Sequence, residues 1–396
     1  MTLVNYSDLF NAEGLIISGF YLLLFIFFLW CLTSNEGYDK NDRSLFVALF
    51  IIFTVFSFLI CYVEILPFFP DTIKFAELVE SGSHDSSSLG VRLYVIISYP
   101  LRLLAFEQIE VYLVFQTFFY FLSVLLLWNG WKIHCSHMKI YAGNFQVMAI
   151  LAMLYPAALS FITIPLREFI QVFGFSLFLY GLAQYIYNNN LKWLVIGALL
   201  TVFVRPQLVV VYPFLILIAK QYSILKLSIY GLLALPIAIL LFENVTGYQF
   251  NPAFFSYLRN AANDSYGDSG MTYGIVNWQT YFDVIADLPL LILQFVLSPL
   301  PILHSVNPIT LKLLLLDVCF VIVILFGACS VKIGFSNFYL KMFLCLIAIF
   351  SIWEFYIGGA VRHRFPLIMM LLPLATLYYS EKLNMLLKKD KNVGIK

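Results

Sequence analysis

Apolar runs of about 17–25 residues, the length a helix needs to cross a hydrocarbon core of about 30 Å, recur from Leu15 to Tyr379. No water in such a core can satisfy a stray N–H or C=O, so each run must close its hydrogen bonds internally as a helix. Composition agrees: 62% of the 396 residues are hydrophobic and 11% charged, against about a quarter charged in soluble domains. The chain reads as an all-α polytopic integral membrane protein forming a single transmembrane domain. A net charge of +1 gives no footprint for nucleic acid. The six cysteines lie mostly within apolar runs, which argues against a disulfide framework. The opening MTLVNYSDLFNAEG lacks a basic stretch and carries Asp8 and Glu13, so the first run is expected to be a retained span.

The expected spans are Leu15–Thr33, Leu45–Leu66, Val111–Trp128, Tyr141–Ile162, Phe169–Tyr187, Trp193–Val204, Leu208–Ala219, Leu225–Phe242, Leu311–Ser330, Tyr339–Ile357 and Phe365–Tyr379. Residues 67–110 form a first external loop with an interfacial or re-entrant segment broken by Arg92, Pro100 and Arg102. Leu288–Leu303 holds Pro289, Pro299 and Pro301 and is expected only to dip into the membrane. Placing the basic tail and the Lys132/Lys139 loop in the cytoplasm gives about eleven crossings, within a range of ten to twelve. A large polar loop, 243–287, then lies outside. Seven of eight arginines fall on that outer side and thirteen of fifteen lysines inside. Lysine suffices as a topological anchor, whereas arginine grips phosphate bidentately, so the outer face reads as anion-binding.

Three arginine clusters stand out. In TIPLREF, Arg167 is placed to hold a phosphate and Glu168 to accept a proton or orient Arg167; the alternative is an interfacial salt pair. Arg205, before Pro206, lies between two short spans where it reaches a cavity rim or simply snorkels. Arg362-His363-Arg364, after Gly358-Gly359, matches a phosphate clamp around a group that titrates near neutrality, or a structural anchor. Asp71 is a candidate catalytic carboxylate or metal ligand, and equally a helix N-cap. Tyr257, Tyr266, Tyr273 and Trp278 alternate with Asn, Asp and Gln in the large loop, a mixture suited to sugar faces or to an interfacial belt. Asp264 and Asp268 read better as a solvated turn than a cation loop, and His134-Cys135-x-His137 as a cytoplasmic cluster rather than a metal site; no metal or other cofactor is expected. Asn5, Asn244 and Asn263 are formal glycosylation sequons.

In PDTIKFAELVESG, YPAALSFITIPLREF, VFVRPQ, SPLPILHSVNP and GGAVRHRFPLIMMLLPL the chain resembles the bacterial Wzy-type O-antigen and exopolysaccharide polymerases, including the EpsG-like branch. It is more distantly similar to the GT-C membrane glycosyltransferases. The resemblance implies a bacterial inner-membrane enzyme that polymerises undecaprenyl-diphosphate-linked oligosaccharide repeat units at the periplasmic face. Membrane lipid surrounds such an enzyme, and a chain-length regulator is a possible partner. Arg167, Arg205, Arg362 and Arg364 would bind diphosphates, and Glu168 or His363 would take the acceptor proton, with Glu168 preferred. A GT-C transferase using a lipid-phosphate donor, or a lipid-linked oligosaccharide flippase, are the alternatives.

Overall fold

The computed structural model describes residues 11–63, 75, 78, 89–206, 208–220, 224–247, 249–266, 272–273, 275–300, 308–332, 337–354 and 356–393. Among the described residues every regular element is an α-helix, with one isolated bridge between Thr272 and Tyr356. Among the described residues six helical stretches are long and apolar enough to cross a membrane: Ala12–Asn35, Lys40–Val63, Ile109–Met138, Glu168–Asn188, Lys312–Ser330 and Ile357–Leu387. The protein is therefore a multi-pass membrane protein, helical in its described regular elements. Contacts divide it into two compact units, Met1–Arg205 and Pro206–Lys396.

Unit 1 contains α1 (Ala12–Asn35), α2 (Lys40–Val63), α3 (Leu89–Leu104), α4 (Ile109–Met138), α5 (Phe145–Met153), α6 (Pro156–Phe161), α7 (Glu168–Asn188) and α8 (Lys192–Val204). The single span expected over 141–162 is instead two short helices. Pro156 offers no N–H to a continuing helix and holds Tyr155 extended, at φ −68° and ψ 113°, so α5 ends and α6 restarts. Within unit 1 the most buried spans are α4 and α7, which pack on each other, with α1 and α2 against α4 and α8 against α7. The α7–α8 contact is backbone to backbone. A Cβ on Gly197 would lie 2.3 Å from the Phe178 nitrogen, and one on Gly181 2.1 Å from the Leu194 nitrogen, so only glycine permits this approach.

Helix ends in unit 1 gather at two poles. At the first, Cys61 Sγ donates to the Thr163 carbonyl at 2.9 Å and Gln116 Nε2 to the Ile164 carbonyl at 3.0 Å. Asn11 caps α1 through Gly14 N, and its own N–H donates to Glu110 Oε1 at 2.5 Å. At the second, the Tyr38 hydroxyl meets Asn129 Oδ1 at 2.8 Å and His134 Nδ1 meets the Tyr187 hydroxyl at 2.7 Å. Between the poles α1 stacks Phe25 on Phe118, with ring centroids 4.0 Å apart, but only 17% of its apolar window is buried.

Unit 2 contains α9 (Leu208–Ala219), α10 (Ile224–Thr246), α11 (Pro252–Tyr266), α12 (Tyr281–Leu297), α13 (Pro308–Ser330), α14 (Phe338–Trp353) and α15 (Ile357–Val393). The expected 243–287 loop is thus partly helical, with α11 inside it. A capping box starts α12: Thr280 Oγ1 accepts from Asp283 N, and the Asp283 carboxylate accepts from Thr280 N. The Tyr281 hydroxyl donates to the Phe250 carbonyl at 3.0 Å, and the Ser298 hydroxyl to the Ile357 carbonyl at 3.2 Å. Phe250 packs on Phe255, which packs on Trp353 at the end of α14. Both ends of α12 are thereby tied near the α14–α15 junction. The 37 residues of α15 run about 56 Å at 1.5 Å per residue, well beyond the expected Phe365–Tyr379 run.

Candidate functional site

In unit 1 the polar residues collect where α7 begins and α8 ends. Glu168 opens α7, placing its carboxylate at a helix N-terminus, and Gln171 follows one turn later on the same face. Arg205 closes α8, because the following proline disfavours a further helical residue, and so sits at a helix C-terminus where a cation is favoured. The glycine-mediated α7–α8 contact delivers Arg205 to its partners: Nε donates to Gln171 Oε1 at 2.8 Å, and Nη2 lies 3.5 Å from Glu168 Oε1. All three side chains are buried. Desolvating two charges costs several kcal/mol per ion unless they are paired, which makes this contact obligatory once the helices pack. Glu168 is therefore a partner of Arg205, which sequence proximity to Arg167 did not suggest. Arg167 stands beside it with its guanidinium carbon 5.9 Å from the Phe75 ring centre. Within electrostatic reach of both Arg167 and Glu168, Tyr94 shares a 2.5 Å hydrogen bond with the Tyr112 hydroxyl.

In unit 2 the corresponding centre is Glu354, the residue that ends α14. Its carboxylate lies over the first turn of α15, where a Cβ on Gly359 would be 2.3 Å from Oε1. Glycine there leaves room for a carboxylate at a helix N-terminus. Oε1 accepts from Tyr356 N at 3.3 Å and Oε2 pairs with His363 Nδ1. With Nδ1 held against the Glu354 carboxylate, Nε2 is the ring nitrogen on the far side from it. The His363 side chain is 14% exposed. Arg259 of α11 donates to the Glu354 carbonyl at 2.9 Å and lies over the Trp278 ring at 5.8 Å. Burial pulls Arg259 down to about 10, against the pull of Glu354 and Asp287, so it stays charged at neutral pH.

Arg364 is placed differently from every other candidate. Its five N–H donors meet the Asp317 carboxylate twice, the Phe295 and Val296 carbonyls at 3.2 and 2.6 Å, and the Ser298 carbonyl at 2.8 Å. It closes the C-terminus of α12 as a buried cap. With all five engaged by protein, Arg364 has no donor for a diphosphate in this arrangement. Trp278, expected on a sugar-stacking surface, is fully buried, with its indole N–H on Asp287 Oδ2 at 2.8 Å; Val284, Leu291 and Phe255 pack around it. Tyr273 donates its hydroxyl to the Gln294 carbonyl at 3.0 Å, and burial pushes its phenol up to about 12. Tyr257 is 65% exposed on α11, and Arg362 is half-buried beside His363.

Asp71, Asp268 and the side chains of Asp264 and Tyr266 lie outside the described residues. Among the described residues no group of three His, Cys, Asp or Glu is placed to hold a metal ion. The cysteines there are all free. Residues not singled out from sequence include Gln171, Tyr94, Tyr112, Asp317 and Glu354. Two of these carried a signal: Asp317 is a lone acid in LLLLDVCFVIV, and Glu354 a lone acid closing an apolar run before Gly-Gly. Comparison with protein-family models, with curated proteins and with solved structures returns no match.

Proposed function

We propose that this protein is a glycosyltransferase that polymerises oligosaccharide repeat units carried on undecaprenyl diphosphate, at the outer face of a bacterial inner membrane. In this reading the chain crosses about eleven times, with the Tyr281–Leu297 helix held at the outer surface. A polymerase handles two lipid diphosphates, donor and acceptor, and each unit offers arginines for one. Unit 1 contributes Arg167 and Arg205, the latter held in place by Glu168 and Gln171. Unit 2 contributes Arg362 beside His363. Guanidinium groups in a partly desolvated cleft stabilise the departing diphosphate, and a base takes the proton of the attacking hydroxyl.

The observation that carries the reading is the Glu354–His363 pair, an imidazole held against a carboxylate near a helix N-terminus, beside Arg362. It moves the preferred base from Glu168, which is committed to Arg205, to His363. Replacing His363 with Gln should abolish long-chain polysaccharide and leave protein abundance unchanged, and Glu354→Gln should do the same more weakly. Normal chain-length ladders from both variants would overturn the assignment. Deleting the gene separates the alternatives: single-repeat product indicates a polymerase, a truncated repeat a GT-C transferase, and no exported repeat a flippase. The last reading draws specific support from Asp317–Arg364, since an ion pair buried along the apolar run of a candidate span suits a transport pathway.

A further inference from the structure

The second pole of unit 1, away from Arg205 and Glu168, carries a cavity of about 350 Å³. Its walls come from the α1–α2 connection, the last turns of α4 and the start of α5. Trp128 and Phe145 supply an aromatic floor, and Lys132 lies over the Tyr38 ring at 4.4 Å. Asp39 and Asp42 face it from the start of α2. Tyr38 is fixed by its hydrogen bond to Asn129, Asp42 by the Gln146 side chain, and Gln146 N by Asn144 Oδ1 at 2.8 Å. Gly143 lines the cavity with φ 98°, a conformation that leaves the wall without a side chain.

We propose that this cavity binds the phosphoethanolamine headgroup of a membrane lipid. One ammonium and two carboxylates surround an uncharged aromatic floor, giving Lys132, Asp39 and Asp42 a sum of −1. A phosphate finds its counter-charge in Lys132, and a primary ammonium can donate three hydrogen bonds to the two carboxylates. A choline headgroup has no such donors, and an anionic glycerol headgroup meets a net like charge. The position selects a lipid over a soluble ligand. At 30 residues α4 is about 45 Å long, so its last turns reach past a core of about 30 Å into the headgroup layer. The elements forming the walls are themselves bathed in lipid: α1 buries 17% and α2 44% of their apolar windows, and Leu32, Met138 and Tyr141 are exposed around the site.

The test is native mass spectrometry of the full chain in mild detergent, with dioctanoyl phosphatidylethanolamine, phosphatidylcholine or phosphatidylglycerol added at equal concentration. Retention of the ethanolamine lipid should exceed that of the other two by about tenfold, the scale of one charge-assisted hydrogen bond. Asp42→Asn and Lys132→Met should each bring retention down to the choline level. If either fails to fold, Asp39→Asn at the exposed rim carries the same expectation. Equal retention of the three lipids would overturn the proposal, as would undiminished ethanolamine-lipid binding by the folded variants. Free phosphoethanolamine should compete only at far higher concentration than the lipid; equal potency would overturn the lipid as the source.

Discussion

The two units solve one problem in opposite ways. Unit 1 joins α7 and α8 by bringing backbone against backbone at Gly181 and Gly197, and keeps its Glu168–Arg205 ion pair at the helix ends. Unit 2 sets charge within its packing: Arg364 on Asp317 and on three carbonyls, Arg259 on Glu354, Glu354 on His363. Apolar helices in lipid gain little from hydrophobicity when they associate, so close packing and polar contacts must supply specificity. Unit 1 relies chiefly on the first and unit 2 on the second. Two arginines express the contrast: Arg205 is anchored by Gln171 and Glu168, while Arg364 has all five donors bound by the protein.

The sharpest way to break the comparison is Asp317→Ala. Leaving Arg364 buried without its counter-ion should cost about 3–5 kcal/mol, read as a lower midpoint in an SDS titration of the solubilised protein. Pairing Asp317→Leu with Arg364→Met should recover much of that loss, which a functional ion pathway would not predict for activity. Next comes Gly197→Ala, whose new methyl would meet the Phe178 backbone; the expected cost is about 1–3 kcal/mol. A neutral outcome there would remove the distinction between the units. The smallest effect concerns the cap of α12. The N–H groups of Thr280 and Gln279, then the Thr280 hydroxyl, hold the Asp283 carboxyl below its ordinary range. A depressed carboxyl lends its stability above the unfolded pKa and loses it as pH falls through the folded value. Amide protection factors at 280–284, exchange rates corrected for their intrinsic pH dependence, should therefore fall on acidification, and Asp283→Asn should remove that fall.

The apolar runs made the helical, membrane-spanning character legible, and Leu208–Ala219 has the bounds read from sequence. The length of α15 was hidden because EKLNMLLKKDK is polar yet made almost wholly of good helix formers. Adjacent side chains on a helix point in different directions, so the written neighbours Arg167-Glu168 did not reveal that Glu168 meets Arg205. Asp317 and Arg364 are 47 residues apart, and no local pattern joins them. Trp278 looked like a surface aromatic among polar residues, but Asp287 satisfies its one donor and frees the ring to enter a core.

α1 adds polar contacts to the narrow face it packs on α2 and α4. Asn11 is clasped by Glu110 and Gln108, Tyr21 reaches the Leu104 carbonyl, and Tyr38 just beyond the helix is moored on Asn129. Between these moorings one mostly lipid-facing rod of about 36 Å spans a core of about 30 Å. Such a rod is a thickness gauge: a thinner or thicker bilayer tilts it, and part of the load falls on the polar clasps at its two ends. The Tyr38 clasp borders the phosphoethanolamine cavity, so bilayer thickness and headgroup occupancy would act on the same few atoms.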